Sequence, residues 1–268
     1  MNRITNDETT PNRPTSPLRF ALIGTVALVA ALSNGARADL INDIPDGYAV
    51  RSQGSVSVGA NARIAGSLGA AGNASLANGA VVTGDLSTGT PYSWHTPSIG
   101  GLPSAGSTNV NVAKNGSLAL DAGIYDKFTS GSSATLTLTA GEYVFSSFDL
   151  AKAGRLLADT SAGDIKVYVT NKLTSASETI YDNIGGGNLT IVTGGSASFG
   201  SKSSIEALLY SLGSQSFGSN TLFNGLTWAG GSVSIGQGSE FNFAGPVPAP
   251  AGLALLGAAA ALTRRRRR

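Results

Sequence analysis

The 268-residue chain has no cysteine and a single histidine, His95. Without thiols an exported protein has no disulfides to staple it, so packing and backbone hydrogen bonds must hold it together. One imidazole and no thiolate leave zinc without a ligand set, and no metal or cofactor is expected. Charge is sparse as well, with Asp, Glu, Lys and Arg making up 13% of the residues. The formal net charge of +2 hides an asymmetry. Residues 39–246 hold nine Lys or Arg against fourteen Asp or Glu, a net of −5, so the basic character belongs to the two ends. No basic stripe is left between them to neutralise phosphates, which excludes nucleic acid as a partner. Long helical patterns are missing too.

What is present first is a leader. Arg3, Arg13 and Arg19 precede the apolar run Phe20 to Leu32, and Ala36-Arg37-Ala38 follows as a small-x-small cleavage site. This is the three-part layout of a secretory signal peptide, with an apolar region too short to span a bilayer. Residues 1–38 are therefore expected to be removed by signal peptidase between Ala38 and Asp39. No arginine pair stands near the apolar region, so the general secretory route is the simpler one.

The other end carries a second address. Val247, Pro248, Ala249 and Pro250 precede an apolar run from Ala251 to Leu262, then Thr263 and the arginines Arg264, Arg265, Arg266, Arg267 and Arg268. Twelve helical residues reach only about 18 Å across a hydrocarbon core of ~30 Å, which suits brief retention in the inner membrane better than lifelong anchoring. The basic cluster would stay cytoplasmic as a stop-transfer signal. This tail resembles the sorting signals of PEP-CTERM proteins, the substrates of exosortases in Gram-negative bacteria. Their pattern is Pro-Glu-Pro, an apolar helix and a basic end; here Ala249 stands where the family usually has Glu. The resemblance implies an exosortase-type membrane protease or transpeptidase as processing partner, followed by surface or extracellular-matrix residence. A permanent tail anchor is the alternative.

Between the two addresses runs an eighteen-residue period. Phe199, Phe217 and Ile235 fall eighteen apart, as do Ile205, Phe223 and Phe241, and also Ser198, Ser216 and Ser234. Earlier in the chain Val58 and Leu76, Ile64 and Val82, and Leu68 and Leu86 keep the same step. A fixed period near twenty with bulky apolar residues in columns is the mark of a solenoid. Thr135-Leu136-Thr137-Leu138-Thr139 and Ile165-Lys166-Val167-Tyr168-Val169 alternate as strands do. Eighteen residues are too few for two helices and a turn. The predicted fold is all-β, a right-handed parallel β-helix of nine to eleven coils, with Phe and Ile inward and the flanking serines outward. Gln215 shares the parity of Phe217 and is assigned to a coil corner.

The expected organisation is a linker at 39–51, first coils at 52–86, a Pro-rich excursion at 87–109, main coils at 110–244 and the sorting tail at 245–268. The excursion contains Tyr92, Trp94 and His95, a sugar-stacking patch or, more simply, a cover over the open side of a coil. Asp121-Ala122-Gly123-Ile124-Tyr125 and Ala140-Gly141-Glu142-Tyr143-Val144-Phe145 read as two copies of one strand opening. Residues 110–244 resemble uncharacterised β-helix domains attached to bacterial surface and pilus-associated proteins, a resemblance that implies no activity.

Enzymatic chemistry on such a rod needs converging carboxylates. The acids are scattered; only Asp182 and Glu206, twenty-four apart, are placed to neighbour each other. The expected function is that of a secreted, non-enzymatic surface or matrix protein associated with biofilm exopolysaccharide. A polysaccharide lyase or hydrolase is the alternative. A third reading, ice or crystal binding through Thr135, Thr137 and Thr139, needs threonine columns where the register supplies serines.

Overall fold

A computed structural model describes residues 47–89 and 101–243. The leader with Ala36, Ala38 and Asp39, the tail from Val247 to Arg268, and Tyr92, Trp94 and His95 all lie outside the described residues. Among the described residues every regular element is a β-strand, and every strand pair is parallel. The fold is a parallel β-solenoid of nine layers.

Each layer contributes strands to three faces. The first face is a nine-stranded sheet in the order Ala74–Leu76, Val56–Val58, Val233–Ile235, Gln215–Phe217, Ala197–Phe199, Leu173–Ser175, Ser147–Leu150, Lys127–Ser130 and Val110–Val112. We number the layers one to nine in that order. The second and third faces join through Ser204–Ser211 and Leu222–Ala229, long strands that bend across the corner and pair with different neighbours at their two ends. The period-two alternation produces this directly. Val, Ile, Leu and Phe point inward, while small polar residues point out.

The two predicted aromatic columns are present. Phe199, Phe217 and Ile235 are in register on the first face, and Ile205, Phe223 and Phe241 on the second. Phe199 and Phe217 stack at 5.3 Å between centroids, and Phe223 and Phe241 at 5.3 Å. Gln215 does not turn out at a corner. It is buried in a strand, its Nε2 donating to the Trp228 carbonyl at 2.8 Å and its Oε1 accepting from the Thr227 hydroxyl. A buried amide satisfied at both ends escapes the desolvation cost that an unpaired one carries.

The layers do not follow the sequence. The first run of coils stacks on the last coil of the second run: Val56 to Val58 pair with Val233 to Ile235, and Arg63 to Ala65 with Glu240 to Asn242. Tyr48–Ser52, expected to be linker, is a strand that completes layer three, paired with Leu222–Ala229 on one side and Ser67–Ala70 on the other. Both described ends, Gly47 and Phe243, therefore sit at one layer inside the stack. The excursion is not a bulge between consecutive coils. Its flanks, Leu86–Thr88 and Val110–Val112, occupy the two extreme layers, about 38 Å apart at ~4.8 Å per step. Leu102 rests on a buried apolar strip outside the third face, formed by Val144, Tyr168, Val192, Tyr210 and Trp228.

The period also varies. Phe128 pairs with Phe148, Phe148 with Leu173, and Leu173 with Ala197, steps longer than eighteen. The extra residues of the two longest steps lie mainly at the corner between the second and third faces, at 160–164 and 185–188. The two strand openings pair with an offset that aligns Gly123 with Tyr143 rather than with Gly141. Tyr125 then stacks on Phe145 at 5.5 Å.

Candidate functional site

Among the described residues only one outer surface is uniform. The third face is covered along its apolar strip. On the second, the outward column Thr135, Arg155, Ile180, Ser204, Leu222, Glu240, Arg63 mixes both charges with exposed isoleucine and leucine. Thr135, Thr137 and Thr139 belong to this face and do not repeat, because the next layer places Arg155, Leu157 and Asp159 beside them.

The first face carries an in-register outward column through all nine layers: Ser75, Ser57, Ser234, Ser216, Ser198, Thr174, Asp149, Thr129 and Asn111. Two residues earlier on each of the first five strands stand Asn73, Ser55, Ser232, Ser214 and Ser196. Two residues later in layers two to five come Gly59, Gly236, Gly218 and Gly200. Those glycines are required by close approach. A Cβ on Gly236 would lie 2.5 Å from the Gly218 carbonyl carbon. The result over five layers is an uncharged lattice of hydroxyls, with Asn73 as its one amide, repeating at about 4.8 Å along the stack and ~6.6 Å along each strand. Lys172, Asp149 and Lys127 interrupt it in layers six to eight.

The lattice is internally fixed. Backbone N–H groups of Asn73, Ser55 and Ser232 donate to the hydroxyls of Ser55, Ser232 and Ser214 at 3.3, 3.3 and 3.2 Å. Ser216 Oγ donates to Ser198 Oγ at 3.0 Å. Side chains held this way lose little further freedom on meeting a partner. Beside the face runs a turn column in which all nine layers adopt positive φ. Glycine fills it at 79 and 238, asparagine at 61, 115 and 220, and Ser133, Ala153, Glu178 and Lys202 fill the rest.

Of the residues considered for catalysis, Asp182 and Glu206 directly follow the in-register pair Tyr181 and Ile205 on adjacent layers of the second face, as their spacing suggested. Among the described residues no third carboxylate joins them. Asp182 is held by Arg155, which donates to its carboxylate from Nε at 2.9 Å and also from Nη2. Glu206 is exposed on its own strand. Asp159 accepts from the hydroxyl and backbone N–H of Ser161, which lower its pKa below the ordinary carboxylate range. Burial raises Tyr181 and Tyr210 above the usual phenol range. Among the described residues no cluster of three His, Cys, Asp or Glu is placed to hold a metal.

A family model described as "Domain of unknown function (DUF7305)" matches residues 96–264. The chain belongs to the DUF7305 family. The DUF7305 match takes in the second run of coils and most of the tail, while the first run lies outside it. No curated protein matches the chain. Among solved structures it is similar to an ice-binding protein from the Antarctic ascomycete Antarctomyces psychrotrophicus. That pair shares 16% identity at a TM-score of 0.53, covering 74% of this chain and 95% of the other. An ice-binding protein from an Antarctic biological consortium has 19% identity and a TM-score of 0.42, covering 74% of this chain and 87% of its own. The first similarity is one of fold.

Proposed function

We propose that the chain is an exported, non-enzymatic surface or matrix protein of a Gram-negative cell, whose hydroxyl face holds the cell's own exopolysaccharide. The observation that carries this is the five-layer uncharged lattice. It repeats along the rod, as a polymer does, and offers no enclosed reaction site. The coil is read as right-handed, the hand that parallel crossovers take. Signal peptidase would release the leader at Asp39. The tail would be held briefly in the inner membrane by Arg264–Arg268 until an exosortase-type enzyme cuts near Val247–Pro250 and passes the rod to the surface or the biofilm matrix. Pro248 and Pro250 would keep that motif extended, since each removes a backbone donor and restricts the residue before it.

Pull-down of the mature protein with the cell's exopolysaccharide tests the binding claim. Enrichment lost at least tenfold in a Ser57→Lys/Ser216→Lys/Ser234→Lys variant is expected; no enrichment of the unaltered protein sinks it. The alternative, a polysaccharide lyase or hydrolase, predicts turnover in a reducing-sugar assay that disappears with Glu206→Ala. Processing is read by intact mass of surface-extracted protein: a mature species still ending at Arg268 would make the tail a permanent anchor.

A second reading is favoured by the same lattice. Fixed hydroxyls at regular spacing with a glycine column beside them also suit an ordered water layer, and the fold is shared with an ice-binding protein. Inhibition of ice recrystallisation that the triple lysine variant loses would establish ice as the partner. Unimpeded crystal growth at micromolar protein would remove that reading.

A further inference from the structure

We infer that the solenoid stacks end to end on a second copy of itself, layer nine of one molecule on layer one of the next. Layer one is open. Its strands Ala74–Leu76, Val81–Val82 and Leu86–Thr88 each pair on one side only among the described strands. Leu76 and Leu86 are 39% and 48% exposed, although both continue columns that are fully interior one layer below, at Val58 and Leu68. Solenoids ordinarily end in a polar cap, and an uncapped end with bare edges is a template for another chain.

The fitting partner is the opposite end of the same molecule. Every strand pair is parallel, and the path advances in one direction from layer nine to layer one, so only a head-to-tail copy continues the ladder; head-to-head contact would set the strands antiparallel. The columns agree as well. The one ending at Leu76 begins at Val112, the one ending at Val82 begins at Leu118, and the one ending at Leu86 begins at Gly123 beside half-buried Tyr125. The strands of layer nine likewise pair on one side only among the described strands, although just past Gly123–Ile124 the edge is occupied by Gly106, whose N–H donates to the Tyr125 carbonyl at 2.9 Å. The leader and tail are joined to the rod at layer three, through Gly47 and Phe243, so neither is attached at an end layer. A head-to-tail contact of this kind does not close and yields an open filament.

The absence of cysteine gives a clean test. Ser75 and Asn111 are exposed at the two ends of one outward column, 36 positions apart in the sequence. Across the proposed junction they become in-register neighbours, about 4.8 Å between Cα atoms and within disulfide range. Oxidised full-length S75C/N111C should give a ladder of covalent dimers, trimers and longer species on a non-reducing gel, weakening on dilution. Either single variant should stay monomeric, and a mixture of the two should stop at dimers. Only monomer from the double variant, whether with free thiols or an internal disulfide, overturns the inference. So do dimers from S75C alone, which would mean head-to-head contact.

Discussion

Truncating Phe217 to alanine removes the ring at the centre of the molecule's aromatic core. Phe217 is 3% exposed in layer four, stacked on Phe199 and edge-on to Phe223 at 5.5 Å and to Phe241 at 4.9 Å. Phe→Ala in a packed core costs about 3–5 kcal/mol. Three ring partners, each worth ~0.5–1.5 kcal/mol beyond area, put this site at the upper end. Layers above and below restrain collapse, so the cavity stays largely unfilled. With a urea m-value of about 3 kcal/mol/M, the unfolding midpoint should fall by roughly 1.5 M. The adjacent outward change Ser216→Ala should stay within ~0.5 kcal/mol. Circular dichroism in a urea series reads both. If Phe217→Ala moved the midpoint no further than Ser216→Ala does, the column would not be interior and the register argument would fail.

Three further outcomes follow from local geometry. At the positive-φ turn, Ala153→Gly and Lys202→Gly relieve a left-handed strain of ~1–2 kcal/mol, partly offset by glycine's greater unfolded freedom, so each should raise Tm by about 1–4 °C; a fall in Tm would contradict the turn assignment. Gly236→Ala puts a Cβ 2.5 Å from the Gly218 carbonyl carbon and should lower stability by roughly 1–3 kcal/mol in the same urea series, whereas a neutral result would mean the layers are not this close. Asp159 should titrate below the ordinary carboxylate range, and Ser161→Ala should move its midpoint upward in a carboxyl NMR titration. Because its folded pKa is depressed, its stabilising contribution is present above the ordinary range and is lost as pH falls through the lowered value.

Identical side chains stack in a parallel solenoid, so the columns were readable as simple spacing. Phe199, Phe217 and Ile235 needed no structural information, nor did the serines beside them. The order of the layers was not readable. Any eighteen-residue coil can lie on any other, and nothing local in Val56-Ser57-Val58 says that Val233 rather than Asn111 lies next to it. The hydroxyl face shared this limit. Its serines were visible in each run, but their union into one five-layer surface depends on the joining of the two runs. The longer central coils escaped notice because insertions at 160–164 and 185–188 break the count without disturbing the strands. Gln215 shares the parity of Phe217 but was assigned to a corner, because the partners that satisfy it inside, Thr227 and Trp228, come from another face and leave no local signal.

The order of the layers is the claim on which the face, the open ends and the position of the tail all depend. Ser57 and Ser234 are 177 residues apart in sequence and in-register neighbours in the fold. In the cysteine-free chain, S57C/S234C should oxidise to an internal disulfide, seen as a monomer with no free thiol by intact mass and thiol labelling. If both thiols stay free under oxidising conditions while the strands remain folded by circular dichroism, the two runs are not joined at that layer and the account is wrong.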